Sequence, residues 1–445
     1  MSYRSALSIP DFRALWLAQV SSRIGDAVHE VALLWVIYSV TNDPQLVSIT
    51  LIASYLPSLV LEMTGGVLAD RANRKWIMII TDVVRGVIVL AIPLIGESKL
   101  LVPVVVTVAF LTGACDSIDG PARRSIIPSL VPEEELDSAN SLSSFTATFS
   151  QTLFLLGGII IAFSGSFYAF YIDAASFLLS ALLLARISTE AGRPGDQDRS
   201  STEITQNTFI SSLKEATSTL IEDTKIIFTY VKKHSILVNI LLLGALIQMV
   251  FAPLSVLMPV YAPKLPAEQL GIPSSVIFGA LYSIFFTGMS IGAILVNYKQ
   301  NILHSHRGTI IITSILLLGT TVGLIGALNP AKVLQAVVIM TALFIAGMSY
   351  SGVNVAVATM RHSLVPDDHL ARFSSLDATF TTVALLIGLG VSGFVVDTIG
   401  PRMTFGVIGV GLFVLGLGFA TQPIAKAQGD LEVRPTDEDH SSSTQ

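Results

Sequence analysis

Long apolar stretches recur along the chain, and they constrain its fold more than any other feature of the sequence. A helix that crosses the hydrocarbon core of a bilayer needs about 20 mostly apolar residues. Helices are favoured there because lipid offers no partners for exposed backbone groups. Of the 445 residues 52% are apolar and 13% charged, so little length remains for a soluble domain. We therefore predict an all-α integral membrane protein with twelve transmembrane helices.

The predicted membrane spans fall into two sets of six. Spans 1 to 6 are placed at 13–39, 45–70, 76–96, 101–120, 139–164 and 167–187, and spans 7 to 12 at 236–262, 274–298, 308–328, 332–360, 373–397 and 402–422. The chain then divides into a first half at 1–187, a linker at 188–235, a second half at 236–424 and a tail at 425–445. The hydrophilic tail is predicted to be disordered. In the linker, apolar residues recur amid charges and predict an amphipathic surface helix: Phe209, Leu213, Leu220, Ile227 and Val231.

The distribution of basic residues predicts the orientation of the spans. Few of the 26 lysines and arginines fall in loops on one side of the predicted bundle: Lys99, Lys264, Lys332 and Arg402. Nearly all the others flank the opposite ends of the spans. Loops rich in Lys and Arg remain in the cytoplasm. We therefore expect a multi-pass protein of the cell membrane with both termini cytoplasmic.

An internal repeat relates the two halves. Ser129 to Leu136 matches Ser363 to Leu370 without gaps, and the same offset aligns Gly113 with Gly347. A Val-Pro pair followed by acidic residues also recurs as a general helix-end signal, which is the alternative explanation. Because the offset also superposes the predicted spans, we interpret the chain as two pseudo-symmetric six-helix halves, an arrangement typical of secondary transporters.

The loop between spans 2 and 3 carries a distinctive motif. Gly66, Asp70, Arg71, Arg74 and Lys75 fit the pattern G-x-x-x-D-R-x-x-R-K, which resembles the signature loop of the major facilitator superfamily. We expect Gly66 to allow a close helix approach, Asp70 to accept hydrogen bonds from a helix N-terminus, and the three basic residues to hold the cytoplasmic side. An ordinary positively charged loop would explain the basic residues but not the Gly and Asp spacing.

Longer stretches are similar to the branch of that superfamily that contains macrolide-efflux proteins and the enterobactin exporter. They include Phe12 to Gln19, Asp119 to Arg123, Ile127 to Pro132 and Asp173 to Phe177. The resemblance implies a charge latch between the signature loop and span 4 that is closed in one state and broken in the other. We expect Arg74 to pair with Asp116 or Asp119, and leave open which of the two. The alternative is that both acids face cytoplasmic water.

Span 1 contains the strongest chemical signal. Gln19, Arg23, Asp26 and Glu30 are spaced by four, three and four residues and share one helix face. Ionisable groups within a membrane are costly and face the interior of a helix bundle. We interpret Asp26 and Glu30 as groups that carry a proton or bind a cation, with Arg23 setting their charge balance and Gln19 on the same face. Glu62 in span 2 is a second candidate. The alternative is a buried ion cluster that only fixes span 1.

In the second half, polar, aromatic and methionine side chains predict an adaptable cavity for a bulky apolar molecule. They are Gln248, Tyr282, Phe286, Met289, Tyr350 and Asn354. Ordinary helix packing is the alternative for each of them.

Several classes of function are excluded by missing motifs. The sequence contains no dinucleotide fingerprint, Walker loop, metal-spaced His and Cys set or nucleophile elbow, so we expect no enzyme activity, metal, cofactor or nucleic-acid partner. Transport must then use an ion gradient or the gradient of the substrate. We predict a monomeric, proton-coupled exporter of small amphiphilic compounds, drug-like or siderophore-like, whose other partners are membrane lipids. Alternatives are another coupling ion, a lipid or lysophospholipid transporter or flippase, and a transport-inactive receptor or assembly partner.

Overall fold

A computed structural model of the chain describes residues 3–188, 227–298 and 307–421. Its elements are α-helices with a few 3₁₀ turns. In the first half, spans 1 to 6 correspond to Pro10–Thr41, Pro44–Tyr55 with Ser58–Arg71, Arg74–Val89 with Ala91–Ile95, Leu101–Leu130, Leu136–Ser150 with Phe154–Ser164, and Ser166–Ala185. The short helix Tyr3–Ser8 precedes span 1.

The second half repeats this organisation. Spans 7 to 10 correspond to Ser235–Phe251 with Pro253–Tyr261, Ser274–Tyr298, Arg307–Ala327 and Val333–Leu364, and one long helical run, Asp367–Ala420, covers spans 11 and 12. Within the described ranges, eleven helical stretches are long and apolar enough to cross a membrane. The predicted all-helical membrane fold is confirmed.

The long helical run reverses direction at Gly400, where φ is 78° and ψ is 160°. Before this glycine, Gly388 lies against the backbone of Met249, and after it Gly411 lies near Val250 on the same helix. A straight helix would hold residues 388 and 411 about 35 Å apart at 1.5 Å per residue. The run therefore folds into two antiparallel segments, which supports the prediction of twelve crossings.

Span 4 continues about ten residues beyond its predicted end, through Pro121 and Pro128. The acids, arginines and prolines of this stretch resemble a loop in the sequence. Proline within a membrane helix is tolerated when neighbouring helices and side chains satisfy the carbonyl groups that it leaves without a donor. This extension brings Arg123 and Arg124 onto the same helix as Asp116 and Asp119.

Two glycines support the predicted duplication. In the first half, Gly113 of span 4 lies directly against the backbone carbonyl of Ser54 in span 2. In the second half, Gly347 of span 10 lies in the same way against the carbonyl of Phe285 in span 8. These are the two glycines that the sequence repeat aligns. A side chain at either position would separate the helices, so both halves use the same close helix crossing.

The two halves contact each other at one end of the bundle. We call the end at which Pro10 begins span 1 the near side and the opposite end the far side. At the far side, Gln45 Nε2 donates to Asp397 Oδ2 over 3.3 Å, and the Leu155 amide donates to Ser283 Oγ over 2.7 Å. Both hydrogen bonds join the first half to the second.

The buried apolar residues follow the same division. At the far side, one continuous cluster includes residues of both halves, such as Val31 and Phe278. At the near side, the first half has a separate cluster around Phe12 and Met78, and the second half has another around Leu237 and Phe373. The apolar core is thus continuous across the halves only at the far side. In the described structure the two halves are therefore joined at the far side, and no apolar cluster joins them at the near side.

Much of the linker and all of the tail lie outside the described residues, and so do Phe209, Leu213 and Leu220. Residues 227–233 are helical. Ile227 and Val231 are 1% and 2% exposed and pack into the near-side cluster of the second half. The apolar face predicted for the end of the linker therefore lies against the second half.

Candidate functional site

A cavity of about 390 Å³ lies among the helices of the first half. Spans 1, 2, 3, 4 and 6 contribute its walls. The cavity is lined by Arg23, Asp26, His29, Glu30, Leu33, Leu34, Leu51, Ser54, Tyr55, Ser58, Arg85, Thr112, Gly113, Asp116, Ser117, Gly120, Pro121, Arg124, Asp173 and Phe177. Three of the four residues predicted on the span 1 face therefore share one cavity: Arg23, Asp26 and Glu30.

Along span 1, these three residues differ in their pairing. Arg23 Nη1 lies 3.8 Å from Asp26 Oδ2, and the two side chains are 40% and 32% exposed. Glu30 lies one turn closer to the far side and has no hydrogen bond or ion pair with another described residue. Gln19 is buried, 7% exposed, and does not line the cavity. The side chain of Glu62 lies outside the described part of the chain.

The structure adds a residue pair that the sequence did not reveal. His29 Nδ1 lies 2.8 Å from Asp173 Oδ2 of span 6, and both residues line the cavity. Spans 1 and 6 approach closely because Gly25 has no side chain: a Cβ there would lie 2.7 Å from Asp173 Oδ1. On helix geometry His29 is turned away from the face through Asp26 and Glu30, so the spacing along span 1 does not indicate a place for it in the cavity. The cavity nevertheless includes His29 as well as Asp26 and Glu30 among its lining residues.

A second ion pair crosses the cavity wall between spans 3 and 4. Arg85 Nη2 donates to Asp116 Oδ1, and the guanidinium group lies 5.3 Å from the centre of the Phe177 ring. The Arg85 side chain is 4% exposed, whereas that of Asp116 is 59% exposed. Arg85 is therefore held in the helix interface, and its partner faces the cavity.

Further toward the near side, a buried network joins spans 3, 4 and 6. Arg123 Nε donates to Asp119 Oδ2 over 2.9 Å, and Arg123 Nη2 lies 3.9 Å from Asp82 Oδ2. Ser180 Oγ of span 6 donates to Asp82 Oδ2 over 2.6 Å. Each of these side chains is buried, so the network fixes three helices to one another beneath the cavity.

The predicted latch between Arg74 and the acids of span 4 is not formed in this structure. Asp116 pairs with Arg85 and Asp119 with Arg123, while Arg74 Nε donates to the carbonyl of Ala69 over 3.0 Å. The extension of span 4 supplies Arg123 one turn away from Asp119. Because the latch is expected to be closed in one state and broken in the other, it stays a prediction.

The signature loop is held by backbone contacts. The close helix approach predicted at Gly66 occurs at Gly65, where a Cβ would lie 2.5 Å from the Ser117 carbonyl, whereas a Cβ at Gly66 would meet nothing within 4 Å. Lys75 Nζ donates to the carbonyls of Ala185 and Ile187 over 3.0 and 2.5 Å and so caps the end of span 6.

Of the other loop residues, Asn73 caps span 3, because its side chain accepts from the Lys75 amide over 3.1 Å. Arg71 is the last residue of the helix Ser58–Arg71 in span 2, and its interactions include at least one with another residue. The side chain of Asp70 lies outside the described residues.

The residues predicted to form a cavity in the second half do not line the cavity of the first half. Tyr350 Oη donates to Gln248 Oε1 over 2.6 Å, and Tyr282 Oη donates to the Ser255 carbonyl over 3.1 Å. Phe286 packs edge-to-face on Phe154 of span 5. The other two residues predicted there also lie on spans 8 and 10: Met289 is half-buried, and Asn354 Nδ2 donates to the Tyr350 carbonyl over 3.0 Å.

The charges around the cavity nearly balance. Three arginines and the histidine face four carboxylates, so the lining carries one excess negative charge when His29 is neutral. Of the four carboxylates, only Glu30 lacks an arginine or histidine partner in the described structure. No group of three His, Cys, Asp or Glu side chains in the described ranges could hold a metal ion. The site is therefore suited to binding a polar or charged solute and to proton exchange.

Comparisons with known proteins agree with this architecture. The family model described as Major Facilitator Superfamily matches residues 15–359 and 254–437. The chain is 25% identical over 399 residues to macrolide efflux protein A of Streptococcus pyogenes, covering 88% of this chain and 91% of that protein. It is 26% identical over 415 residues to the enterobactin exporter EntS of Salmonella typhimurium, covering 92% and 91%.

Among solved structures, the nucleoside transporter NupG has a TM-score of 0.70 at 12% identity, covering 92% of this chain and 98% of that one. The peptide transporter POT in complex with sulfate has a TM-score of 0.69 at 15% identity, covering 96% and 99%. These structures share the fold. Because the family model spans nearly all of the membrane part, the chain belongs to the Major Facilitator Superfamily and is a multi-pass membrane transporter rather than an enzyme.

Proposed function

We propose that this transporter exports small amphiphilic compounds from the cell in exchange for protons. The observation that carries the proposal is the charged cavity inside the membrane spans of the first half. Charged groups within a membrane are costly and are retained where solutes or ions pass. A cavity of about 390 Å³ also lies within the range of small-molecule sites.

The near side supplies the entrance to this cavity. The separate apolar clusters at the near side leave the two halves apart, while the far side is closed by contacts between them. With the near side in the cytoplasm, as the basic residues favour, the described structure would accept a compound from the cytoplasm. Rocking of the halves would then open the far side, which is the movement that two-halved transporters make.

Glu30 is the residue that we assign to proton coupling. It lacks an arginine or histidine partner among the described residues, and it lines the cavity one turn from Asp26. A carboxylate in this position can bind either a proton or a cationic group of the substrate. It does not bind both, because protonation removes the negative charge that attracts the cationic group. Such competition would link the entry of a substrate to the release of a proton. Asp26, which Arg23 accompanies, is the second group of this assignment.

The relatives support the direction of transport and the class of substrate. Two of them are named for macrolide efflux and for enterobactin export, and both names describe the outward movement of bulky compounds. We extend export to this chain on that similarity. No observation on the cavity favours lysophospholipid transport, so lipid-type transport remains an outcome of the experiment. The transporter is proposed to act as a monomer in the cell membrane.

The experiment uses purified protein in liposomes with an imposed pH gradient. The pH of the lumen is recorded while a macrolide, a catecholate siderophore, a lipophilic cation or a lysophospholipid is added. Glu30→Gln removes the proposed proton carrier and keeps the size of the side chain. Glu97→Gln is the matched control, because Glu97 lies exposed in the loop between spans 3 and 4.

The proposal predicts proton movement that depends on a substrate in the wild-type and Glu97→Gln proteins. In Glu30→Gln, this movement should be strongly reduced although folded protein is recovered. Substrate movement without proton movement would instead indicate facilitated or lipid-type transport. Absence of flux for every compound would favour the receptor alternative and contradict the proposal.

A further inference from the structure

The His29–Asp173 pair is the second ionisable feature of the cavity, and the proposed role of Glu30 does not involve it. Asp173 is fully buried, and neither of its carboxylate oxygens has a hydrogen-bond partner in the described structure. Its ion-pair contact is His29, whose Nδ1 lies 2.8 Å from Oδ2. The His29 side chain is 13% exposed and lines the cavity. Its ring also meets the Phe170 ring edge-to-face, with 5.5 Å between the ring centres. The imidazole is therefore fixed between span 6 and the cavity.

The short contact determines where protons can reside. The contact is an ion pair at 2.8 Å without hydrogen-bond geometry. Because a lone pair on His29 Nδ1 would repel the Asp173 carboxylate at this distance, we place a ring proton on Nδ1. With one proton on the ring, at Nδ1, the pair carries one negative charge. A second ring proton, at Nε2, makes the pair neutral overall. The contact between Nδ1 and Asp173 is the same in both states, so Nε2 is the atom that can exchange a proton with the cavity.

Burial favours one of the two states, and a cation in the cavity favours the other. An unneutralised carboxylate away from water is costly, which favours the state with a proton on Nε2. A cation in the cavity would favour the other state, because it repels the imidazolium ring and attracts the negative pair. The charged groups that share the cavity with the pair are Arg23, Asp26 and Glu30 on span 1, Arg85 on span 3, and Asp116 and Arg124 on span 4. Span 2 contributes the phenol of Tyr55.

We propose that His29 and Asp173 form a second proton-exchanging site, from which a cationic compound in the cavity displaces the proton on His29 Nε2. Asp173 is the positioning residue, because it holds Nδ1 and orients Nε2 toward the cavity. The proton leaves to cavity water, and the contact between Nδ1–H and Asp173 is kept. The displacement by a substrate rests on the proposed export function, whereas the proton exchange of the pair does not.

Nitrogen-15 NMR of the full-length protein in lipid nanodiscs tests the proposal. All seven histidines are labelled, and the His29 signals are identified by their loss in His29→Gln. The ring signals distinguish a protonated from an unprotonated nitrogen across a pH series. The series is repeated with tetraphenylphosphonium, a permanent lipophilic cation that has no proton of its own to release. Asp173→Asn is the matched variant, since its amide oxygen can still accept from Nδ1 while the negative charge is removed.

The proposal predicts that Nδ1 stays protonated at every pH while Nε2 gains and loses a proton. Tetraphenylphosphonium should weaken proton binding at Nε2 about tenfold, as a like charge a few ångströms away does. Asp173→Asn should weaken it by a similar factor or more. If Asp173→Asn or tetraphenylphosphonium leaves the Nε2 titration unchanged, or if Nδ1 is found unprotonated, the proposal is overturned.

Failure of the export proposal would be recognised separately, by absence of substrate-driven proton flux in wild-type liposomes. If His29→Gln does not fold, the change of signals between the wild-type protein and Asp173→Asn identifies the His29 ring. The prediction for Asp173→Asn then decides the result.

Discussion

Replacing Gly279 with alanine places a methyl group against the backbone of span 5 at the far side of the bundle. An ideal Cβ at this position would lie 2.6 Å from the Phe154 carbonyl oxygen and 3.1 Å from Leu155 Cα. Both are backbone atoms, which cannot rotate away as a side chain can. The contact is relieved only if spans 5 and 8 move apart, and these two spans join the halves in the far-side-closed state.

Overpacking of this kind costs about 1–3 kcal/mol. If the cost falls only on the far-side-closed state, the equilibrium shifts about 5-fold to about 150-fold toward the far-side-open state. Gly390→Ala is the control, because a Cβ at Gly390 would meet nothing within 4 Å. Alanine there should leave the equilibrium unchanged and favour the helix slightly.

Pulsed electron spin resonance measures this shift as a distance across the far side. Spin labels are attached through Lys99→Cys and Lys332→Cys, at exposed residues in far-side loops of the two halves, in a Cys115→Ser background. Gly279→Ala should increase the population of long distances, and Gly390→Ala should match the parent protein. An unchanged distance distribution in Gly279→Ala would refute the claim that this crossing closes the far side.

Two further predictions concern the buried polar contacts beneath the cavity. Arg123→Met leaves Asp119 buried without its cation and should cost about 3–5 kcal/mol, measured as a lower thermal unfolding temperature in detergent; recovery of unchanged stability would contradict the buried network. Lys75→Met removes the cap on span 6 and should cost about 1–3 kcal/mol. Amide hydrogen exchange near Ile187 should then accelerate, and unaltered exchange there would show that the cap contributes nothing.

The sequence predicted the membrane spans well because each span is a continuous apolar run, and lipid leaves the backbone few alternatives to a helix. The exceptions occur where polar residues lie within a helix. Span 4 continues to Leu130, and its charged residues Asp116 and Arg123 pair with Arg85 and Asp82 of span 3. Such pairing depends on helix neighbours, which an apolar pattern does not identify.

The candidate site was predicted only in part for the same reason. Arg23, Asp26 and Glu30 share a helix face, so their spacing alone brings them together. Asp173 lies more than 140 positions further along the chain and meets His29 because Gly25 allows spans 1 and 6 to approach. No local pattern encodes that approach.

The second-half residues show a further limit. Tyr282 and Phe286 do share a face, but a shared face does not distinguish a cavity lining from a packed interface. In the structure this face lies against Phe154.

The first-half cavity, entered from the near side, is the proposed transport path. Cysteine accessibility in a Cys115→Ser background tests this path most directly. The test variant is Ser54→Cys, in the cavity. The control is Ser48→Cys, which lies on the same span but is buried at the far-side interface. A charged, membrane-impermeant thiol reagent should modify Ser54→Cys rapidly from the near side, block transport, and leave Ser48→Cys nearly unreacted. Rapid modification of Ser54→Cys that leaves transport intact, or reaction only from the far side, would contradict the account.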